Sequence, residues 1–295
     1  MRGEISFFIA LKRNEKLEGA ALQMKKLVFI GSGSMAEAMI AGILKASIVE
    51  KQYIYVTNKQ DKARLLYMKE IYGIKTSYDQ NELFEGADVI ILAMKPKDVK
   101  DALTVIRPYL TEKQLVLSVI AGVMTETIEE TLHKAIPVIR TMPNTSAKIG
   151  YSATAIAKGK YVHEEHLNIA VELLQTIGTT KVLAEKDMHT VTAVSGSGPA
   201  FIYYFIEAMT KAALKAGMDQ QTADELIIQT IIGAGKMLEQ SGDSPEILRK
   251  NITSQGGTTE AGLTALIQNN FENIIIDCIQ SARNRSLDLA ETYKI

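Results

Sequence analysis

Short apolar runs alternate with amphipathic segments along the first half of the chain. Five of these runs predict buried strands, because they are apolar on both faces and end in polar or glycine-containing turns. They are residues 26–30, 53–57, 88–94, 114–120 and 138–142. This alternation is typical of an α/β domain, in which helices cover both faces of a parallel sheet.

From about residue 187 the pattern becomes helical and the strand alternation ends. Ser197 predicts a cap and Pro199 the start of a long helix, which Gly217 is expected to end. A second helix carries Gly233 and Gly235, which permit close packing between helices. The residues that follow Pro199 are apolar almost all round the first helix, unlike those of a helix exposed to water. We expect this helix to lie in an interface between subunits.

The first predicted strand leads directly into a glycine-rich turn, Gly31-Ser32-Gly33-Ser34-Met35-Ala36, and then into a helical pattern. Gly31 permits the tight turn, Gly33 lets a pyrophosphate approach the backbone, and Ala36 keeps helix and strand close. Because a second strand follows at the expected distance, this spacing predicts an N-terminal Rossmann-like dinucleotide-binding domain.

The end of the second strand indicates which dinucleotide is preferred. An acidic residue usually holds the ribose of NAD there, but this chain has Asn58 and Lys59, and no carboxylate before Asp61. Asn58 can donate hydrogen bonds to a phosphate, and Lys59 can neutralise it. We therefore predict that NADP(H) is preferred, with NAD(H) as the alternative if Lys59 is only a solvated surface lysine.

A second cluster of polar groups lies near the C-terminus, at residues 254–259 with the sequence SQGGTT. Hydroxyl groups and backbone N–H groups crowd there into one turn just before a helical pattern. Paired glycines let a ligand approach the backbone, and a helix N-terminus favours negative charge. The turn predicts a cradle for a carboxylate, with an ordinary helix cap as the alternative.

Five motifs in order resemble the pyrroline-5-carboxylate reductases, which complete proline synthesis by reducing a cyclic imine. The resemblance runs from about Met24 onwards, and two positions depart from it, because Gln255 and Ser146 stand where the family usually has proline. The motifs are Gly31-Ser32-Gly33-Ser34-Met35-Ala36, Ala93-Met94-Lys95-Pro96, Met142-Pro143-Asn144-Thr145, Ser195-Gly196-Ser197-Gly198-Pro199-Ala200, and the stretch from Pro245 through Gly256-Gly257-Thr258-Thr259 to Leu263.

The resemblance implies a role for individual residues and no metal. It assigns the cofactor to Ile30, Gly31, Ser32, Gly33, Ser34, Met35, Asn58, Lys59, Ala93, Met94, Lys95, Pro96, Ser118, Val119, Ile120 and Asn251, with Gln80 or Asn81 on the adenine side. It assigns the substrate to Glu185, Ser254, Gly257, Thr258 and Thr259. Thr259 would hydrogen-bond the ring nitrogen as the catalytic group.

The resemblance also implies an α/β protein of two domains: the dinucleotide-binding domain at residues 24–186, and an all-α domain at 187–295 that binds substrate and forms a homodimer or higher homo-oligomer. Residues 1–23 are expected to be a flexible N-terminal extension without a functional role.

Two rival interpretations stay open. A β-hydroxyacid dehydrogenase would need a catalytic lysine on the first long helix, but the corresponding face runs from Ala200 to Ala208 without one, and Lys211 falls near the far end. A non-catalytic paralogue would show degraded substrate motifs, of which Gln255 is the one sign.

Composition narrows the function classes. The chain has 295 residues, 46% of them hydrophobic, and a net charge of −1. It has no apolar run long enough for a membrane and no basic excess for nucleic acid, and its four histidines lack metal-binding spacing. We therefore expect a soluble cytoplasmic enzyme with a small-molecule substrate and no nucleic-acid or membrane partner.

Overall fold

The computed structural model describes residues 26–294, so the predicted extension at residues 1–23 lies outside the described residues. Two compact units make up the described chain. The sheet unit comprises residues 26–199 and 277–294, and the helical unit is Ala200–Ile276. The sequence predicts a single boundary at residue 187, whereas the compact units divide after residue 199 and again after residue 276.

Within the described residues, eight strands form one sheet in the order β3-β2-β1-β4-β5-β6-β7-β8. They are β1 (Leu27–Ile30), β2 (Ile54–Thr57), β3 (Lys75–Thr76), β4 (Val89–Leu92), β5 (Leu115–Ser118), β6 (Val138–Met142), β7 (Ser152–Lys158) and β8 (Gly178–Val182). Neighbouring strands are parallel except β6 and β7, which are antiparallel. The five predicted strands are therefore confirmed as β1, β2, β4, β5 and β6.

Three strands have no counterpart in the sequence prediction. β3 is only two residues long, β7 consists mainly of alanine and threonine, and β8 lies at the edge of the sheet with mostly exposed or half-buried residues. None of them has the continuous apolar run of a strand that is buried on both faces. The five predicted strands pair in parallel, and the sheet changes direction only where β7 follows β6.

Helices cover both faces of the sheet. In the sheet unit they are α1 (Ser34–Ala46), α2 (Lys62–Tyr72), α3 (Gln80–Phe84), α4 (Val99–Ile106), α5 (Thr125–Leu132), α6 (Glu164–Gln175) and α7 (Met188–Val191). One apolar layer joins Phe29 of the sheet to helices α1, α2 and α6. The other joins Val28 to α3, α4 and α5. Successive residues of β1 thus point into opposite layers, as the pleat requires.

The remaining helices are α8 (Gly198–Lys215), α9 (Gln220–Gln240), α10 (Pro245–Asn251), α11 (Thr258–Gln268) and α12 (Phe271–Thr292). This confirms the predicted change to helical structure, and α8 ends just before Gly217, which has a φ of +94°. The predicted cap at Ser197 was wrong. Its backbone is already helical, because a short π-helical segment, Thr192–Gly196, leads directly into α8.

The helical unit leaves many large apolar side chains exposed. Ala223 and Ile227 are its buried hydrophobic residues among those described, whereas Tyr204 on α8 is 71% exposed. Further exposed side chains on α8, α9 and α12 include Ile202, Tyr203, Phe205, Leu226, Ile228, Ile232, Ile274, Ile275 and Ile276. A helix bundle normally buries such residues, so a single copy of this unit lacks a full apolar core.

The second half of α12 belongs to the sheet unit. Ser286 is buried, and its hydroxyl lies 2.9 Å from Nδ1 of His189 on α7. Leu289 packs so closely against Gly122 that a Cβ atom on the glycine would lie 3.2 Å from the leucine Cβ. Tyr293 packs against the apolar layer under α4 and α5. The sheet unit is thus completed by residues that follow the helical unit in sequence.

Candidate active site

Four strands end together at one edge of the sheet. Three backbone hydrogen bonds join the residues that follow these strands to their neighbours: Gly31 N–H to Thr57 O at 2.8 Å, Ala93 N–H to Ile30 O at 2.9 Å, and Val119 N–H to Leu92 O at 3.0 Å. The loops after β1, β2, β4 and β5 therefore lie side by side, and this is the edge at which open α/β sheets bind ligands. The structure brings together the predicted cofactor residues of these four loops.

The turn after β1 has the backbone of a dinucleotide-binding loop. Gly31 has a φ of +115°, and a Cβ atom there would lie 2.5 Å from the carbonyl carbon of Ala93. Gly33 precedes α1 as its N-cap residue, and no described side chain caps this helix. A Cβ atom on Gly33 would meet no described atom within 4 Å. The start of α1 thus has no side-chain cap and free space beside Gly33, as the approach of a pyrophosphate requires.

Arg64 of α2 ties this turn to α1. Its Nε donates to the carbonyl oxygen of Ser32 at 2.7 Å, and its Nη2 donates to Oε2 of Glu37 at 2.5 Å. Tyr72 donates to the other oxygen of Glu37 at 3.0 Å. Burial alone would raise the pKa of Glu37, but the bonds from Arg64 and Tyr72 outweigh it and lower the pKa. Burial, and then Glu37, raise the pKa of Tyr72 to about 12.

The Asn58 amide group is fully engaged within the protein. Its Nδ2 donates to Oγ of Ser32 at 3.0 Å and to the carbonyl oxygen of Asp61 at 2.8 Å. Its Oδ1 accepts from Asp61 N–H at 2.8 Å and from the Tyr78 hydroxyl at 3.0 Å. Asn58 therefore holds the ends of two loops together, and both of the donors that the sequence assigns to a phosphate already have partners.

Two further predicted residues lie beside this loop. Lys59 Nζ is 3.2 Å from Oδ1 of Asp98, and the lysine side chain is 69% exposed. Gln80 starts α3, and its side chain donates to the carbonyl oxygen of Tyr78 at 3.4 Å. Because Tyr78 also contacts Asn58, Gln80 lies near the predicted ribose site.

The loops after β4 and β5 complete the edge. Ala93 and Met94 are half-buried, Lys95 is exposed, and Pro96 begins a short 3₁₀ turn. Ser118 is buried, and its Oγ accepts from Ile120 N–H at 3.3 Å. The start of the second loop is thus fixed by its own strand end. Asn251, which the resemblance also assigns to the cofactor, lies exposed at the end of α10 in the helical unit.

The predicted carboxylate cradle precedes α11 in the helical unit. Gly256 has a φ of +71°, and its N–H donates to Oε2 of Glu260 at 2.7 Å. Gly257 is the N-cap residue, its N–H donates to the carbonyl oxygen of Ser254 at 3.0 Å, and no described side chain caps the helix. Thr258 is exposed and Thr259 half-buried in the first turn. The helix thus begins without a side-chain cap from its N-cap residue, and the carboxylate cradle stays a prediction.

Glu185 lies apart from this turn in sequence and belongs to the sheet unit. Its Oε1 accepts from Nη1 of Arg140 at 3.2 Å and from Thr125 N–H at 2.9 Å, and its Oε2 accepts from the Thr125 hydroxyl. The Glu185 side chain is 17% exposed and that of Arg140 is 1% exposed. Both carboxylate oxygens are thus bound within the protein, and a contact with substrate stays a prediction.

Sequence reasoning missed Arg64, Tyr78 and Arg140. Arg64 follows the predicted second strand in the first turn of a helix, a position from which a side chain can reach the glycine turn, so a signal was available. Arg140 sits inside an apolar strand, and Tyr78 in a short connection; neither has a local signal.

Among residues 26–294, no cluster of three or more His, Cys, Asp or Glu could hold a metal ion. No helix in that range is long and apolar enough to cross a membrane.

Comparison with known proteins identifies the family. Residues 26–122 match the family model described as NADP oxidoreductase, coenzyme F420-dependent, and residues 185–289 match pyrroline-5-carboxylate reductase dimerisation. The chain is 49% identical to pyrroline-5-carboxylate reductase 2 of Bacillus subtilis over 92% of its own length and 97% of the relative's. The chain belongs to the pyrroline-5-carboxylate reductase family. It is also 46% identical to reductase 1 of the same bacterium, over 90% of each chain.

Solved structures of the reductase family share the fold. A pyrroline-5-carboxylate reductase from Coxiella burnetii matches with a TM-score of 0.84 at 33% identity, covering 90% of this chain and 99% of that one. The Plasmodium falciparum enzyme, solved with NADP bound, matches with a TM-score of 0.81 at 29% identity, covering 90% and 98%. These matches confirm the predicted fold class, a Rossmann-like domain followed by a helical dimerisation domain.

Membership of the reductase family also confirms the predicted enzyme class, an NAD(P)H-dependent oxidoreductase of proline biosynthesis. It favours this interpretation over the β-hydroxyacid dehydrogenase. The use of a nicotinamide cofactor agrees with the open N-terminus of α1. The match to a dimerisation domain indicates self-association.

Proposed function

We propose that the chain reduces 1-pyrroline-5-carboxylate to L-proline with NADPH, the last step of proline biosynthesis. The uncapped start of α11 carries this proposal, because it offers anion-binding groups in a family of reductases whose substrate bears a carboxylate. The glycine turn before α1 offers a second such site for a dinucleotide, within the sheet unit.

The substrate carboxylate is bound by the turn at residues 254–259. The N–H groups of Thr258 and Thr259 lie in the first turn of α11, where a helix has no carbonyl oxygens for them. Gly257 lets the ligand approach the backbone, and the helix dipole favours its negative charge. The Ser254 hydroxyl lies over this glycine, 2.5 Å from the position that a Cβ atom would take.

Thr259 is the catalytic hydroxyl. The nicotinamide cofactor, when bound, supplies the hydride that goes to the imine carbon. A protonated imine is already electrophilic, so the protein mainly has to orient the two partners. The Thr259 hydroxyl hydrogen-bonds the ring nitrogen, on which the amine electron pair develops as the C=N double bond is reduced.

NADPH is the preferred cofactor, and NADH is the alternative. Three features support this preference: no carboxylate directly follows β2, the Lys59 side chain is largely exposed, and Arg64 lies against the glycine turn. A carboxylate at that place would bind the ribose hydroxyl of NADH, whereas cations suit the additional phosphate of NADPH. Because both Asn58 N–H donors are already bonded within the protein, the cationic side chains of Lys59 and Arg64 are the groups that recognise the phosphate.

The active assembly is a homodimer or a larger homo-oligomer formed through the helical unit. The exposed apolar side chains of α8, α9 and α12 support this arrangement, since a second copy of the same unit would bury them. A cytoplasmic location stays a prediction.

The test is oxidation of NADPH by the purified full-length chain after addition of 1-pyrroline-5-carboxylate, with proline identified as the product. The control substrate is 1-pyrroline, which has the same ring without the carboxylate. Turnover of the acid alone is expected, with a lower KM for NADPH than for NADH. Absence of turnover despite NADPH binding would contradict the proposal and favour a non-catalytic paralogue or another substrate.

A further inference from the structure

Arg140 is a buried cation in the middle of the sheet unit. It lies on β6, and its guanidinium group has one carboxylate partner, Glu185, at 3.2 Å. Its Nε and Nη2 are buried without a hydrogen-bond partner among the described residues. The burial of a charge is costly unless a counterion is held nearby, so this position tolerates an arginine only while Glu185 stays in place.

A histidine lies near this ion pair. Burial, together with the charges of Arg140 and Arg283, lowers the pKa of His189 of α7. Its Nδ1 lies 2.9 Å from the Ser286 hydroxyl. Glu129 of α5 also faces this region, and its Oε1 accepts from Lys160 N–H at 2.8 Å. The hydrogen bond of Glu129 is thus separate from the ion pair between Arg140 and Glu185.

Glu185 in turn caps α5 from a distant part of the chain. Thr125 is the first residue of α5, and both its N–H and its hydroxyl donate to the carboxylate of Glu185. Met124 is the N-cap residue, and its own side chain makes no cap. A carboxylate at this end also interacts favourably with the helix dipole. Removal of a cap destabilises the start of a helix, and more so where the capping group is buried and charged.

The start of α5 is the end of the loop that follows β5. That loop, residues 119–124, begins beside Ser118 at the ligand edge and contains Val119 and Ile120. Its first residues are held by Ser118, whereas its last residues depend on where α5 begins. The contact between Glu185 and Thr125 therefore fixes the far end of a loop whose near end lies along the cofactor edge.

We propose that Arg140 and Glu185 are positioning residues that fix the loop of residues 119–124 through Thr125. Arg140 holds the carboxylate, the carboxylate holds the first turn of α5, and the helix start sets the path of the loop. This assigns the Glu185 carboxylate to α5 instead of to the substrate. The kinetic part of the proposal rests on the proposed reductase function.

Hydrogen–deuterium exchange in the full-length protein tests the positioning role without any activity. E185Q is expected to raise amide exchange at residues 119–128, and R140K to raise it less, because lysine keeps the positive charge but not the guanidinium donor that bonds Glu185. T125V removes only the hydroxyl donor and is expected to give a smaller rise of the same kind. L173A, in the apolar layer on the opposite face of the sheet, is the control for a general loss of stability.

Steady-state kinetics separates positioning from substrate binding. A displaced loop is expected to raise the KM for the cofactor about 10-fold in E185Q, in line with the sensitivity of bound geometry to small displacements. A rise in the KM for the imine alone, with unchanged exchange at residues 119–128, would overturn the proposal in favour of a substrate contact. Equal exchange in L173A at a matched loss of Tm would overturn it as well. If wild-type protein has no reductase activity, the exchange data still decide the positioning role.

Discussion

Replacement of Arg64 by methionine tests how the glycine turn is held. Methionine keeps much of the aliphatic length but removes both donors, at 2.7 Å to Ser32 and 2.5 Å to Glu37. The Arg64 and Glu37 side chains are only 26% and 24% exposed, so water replaces the lost bonds poorly. The carbonyl oxygen of Ser32 then loses this donor, and the Glu37 carboxylate keeps its two tyrosine hydroxyls.

The magnitude follows from these two contacts. A hydrogen bond to a charged group contributes about 1.5–3 kcal/mol, and partial exposure reduces this. We expect R64M to lose about 2 kcal/mol of stability, which is a fall in Tm of roughly 4–8 °C for a domain of this size. Because Ser32 lies in the cofactor turn, we also expect about 10-fold weaker NADPH binding, equivalent to about 1.4 kcal/mol.

Thermal unfolding and a calorimetric titration with NADPH measure the two effects. K158M is the matched control, because it breaks an ion pair with Glu164 whose side chains are 40% and 76% exposed. The double variant R64M/E37Q should lose less stability than the sum of the losses in the two single variants, because E37Q removes the charge that Arg64 compensates. Equal losses in R64M and K158M in both measurements would show that Arg64 does not hold the glycine turn.

Three further predictions concern the two sites and pH. T259A should lower kcat about 10²–10³-fold with an unchanged Tm, whereas T264A on the exposed part of α11 should keep wild-type kinetics. G31A should lower Tm strongly because its Cβ atom has no room, whereas G33A should fold normally but bind NADPH weakly, as circular dichroism and titration would show. The pKa of Glu37 is lowered from 4.5 by folding, so its contribution to stability is present above that value and lost as the pH falls through the lowered pKa. The difference in Tm between wild type and E37Q should therefore shrink below pH 4.5, and a constant difference would contradict this assignment.

Local sequence patterns predicted those parts of the fold that local physics determines. A strand buried on both faces must be apolar throughout, which made β1 and β4 visible, and Gly31 and Gly33 marked the turn between strand and helix. β7 escaped prediction because its alanine and threonine residues produce no strong apolar run. Its antiparallel direction depends on pairing with β6, which no short stretch of sequence specifies.

The sequence indicated candidate groups where one segment supplies them, as in the turn at residues 254–259, whose role in binding stays a prediction. The candidate site was not predictable where distant side chains share hydrogen bonds. Tyr78 and Asp61 occupy the Asn58 amide, so its assignment as a phosphate donor overlooked partners that only folding brings near. The buried contact between Arg140 and Glu185 joins residues 45 positions apart, so no local sequence pattern indicates it.

The path of α12 has a consequence for synthesis on the ribosome. Ser286 and Leu289, which pack into the sheet unit, are translated after the whole of Ala200–Ile276. The last strand, β8, ends at Val182, so more than one hundred further residues must be translated before Ser286 can dock against the sheet unit. Until then, the buried sites around His189 and Gly122 are open to water. A stop codon shortly before Ser286 would thus impair the domain that is translated first, far from the lesion in sequence.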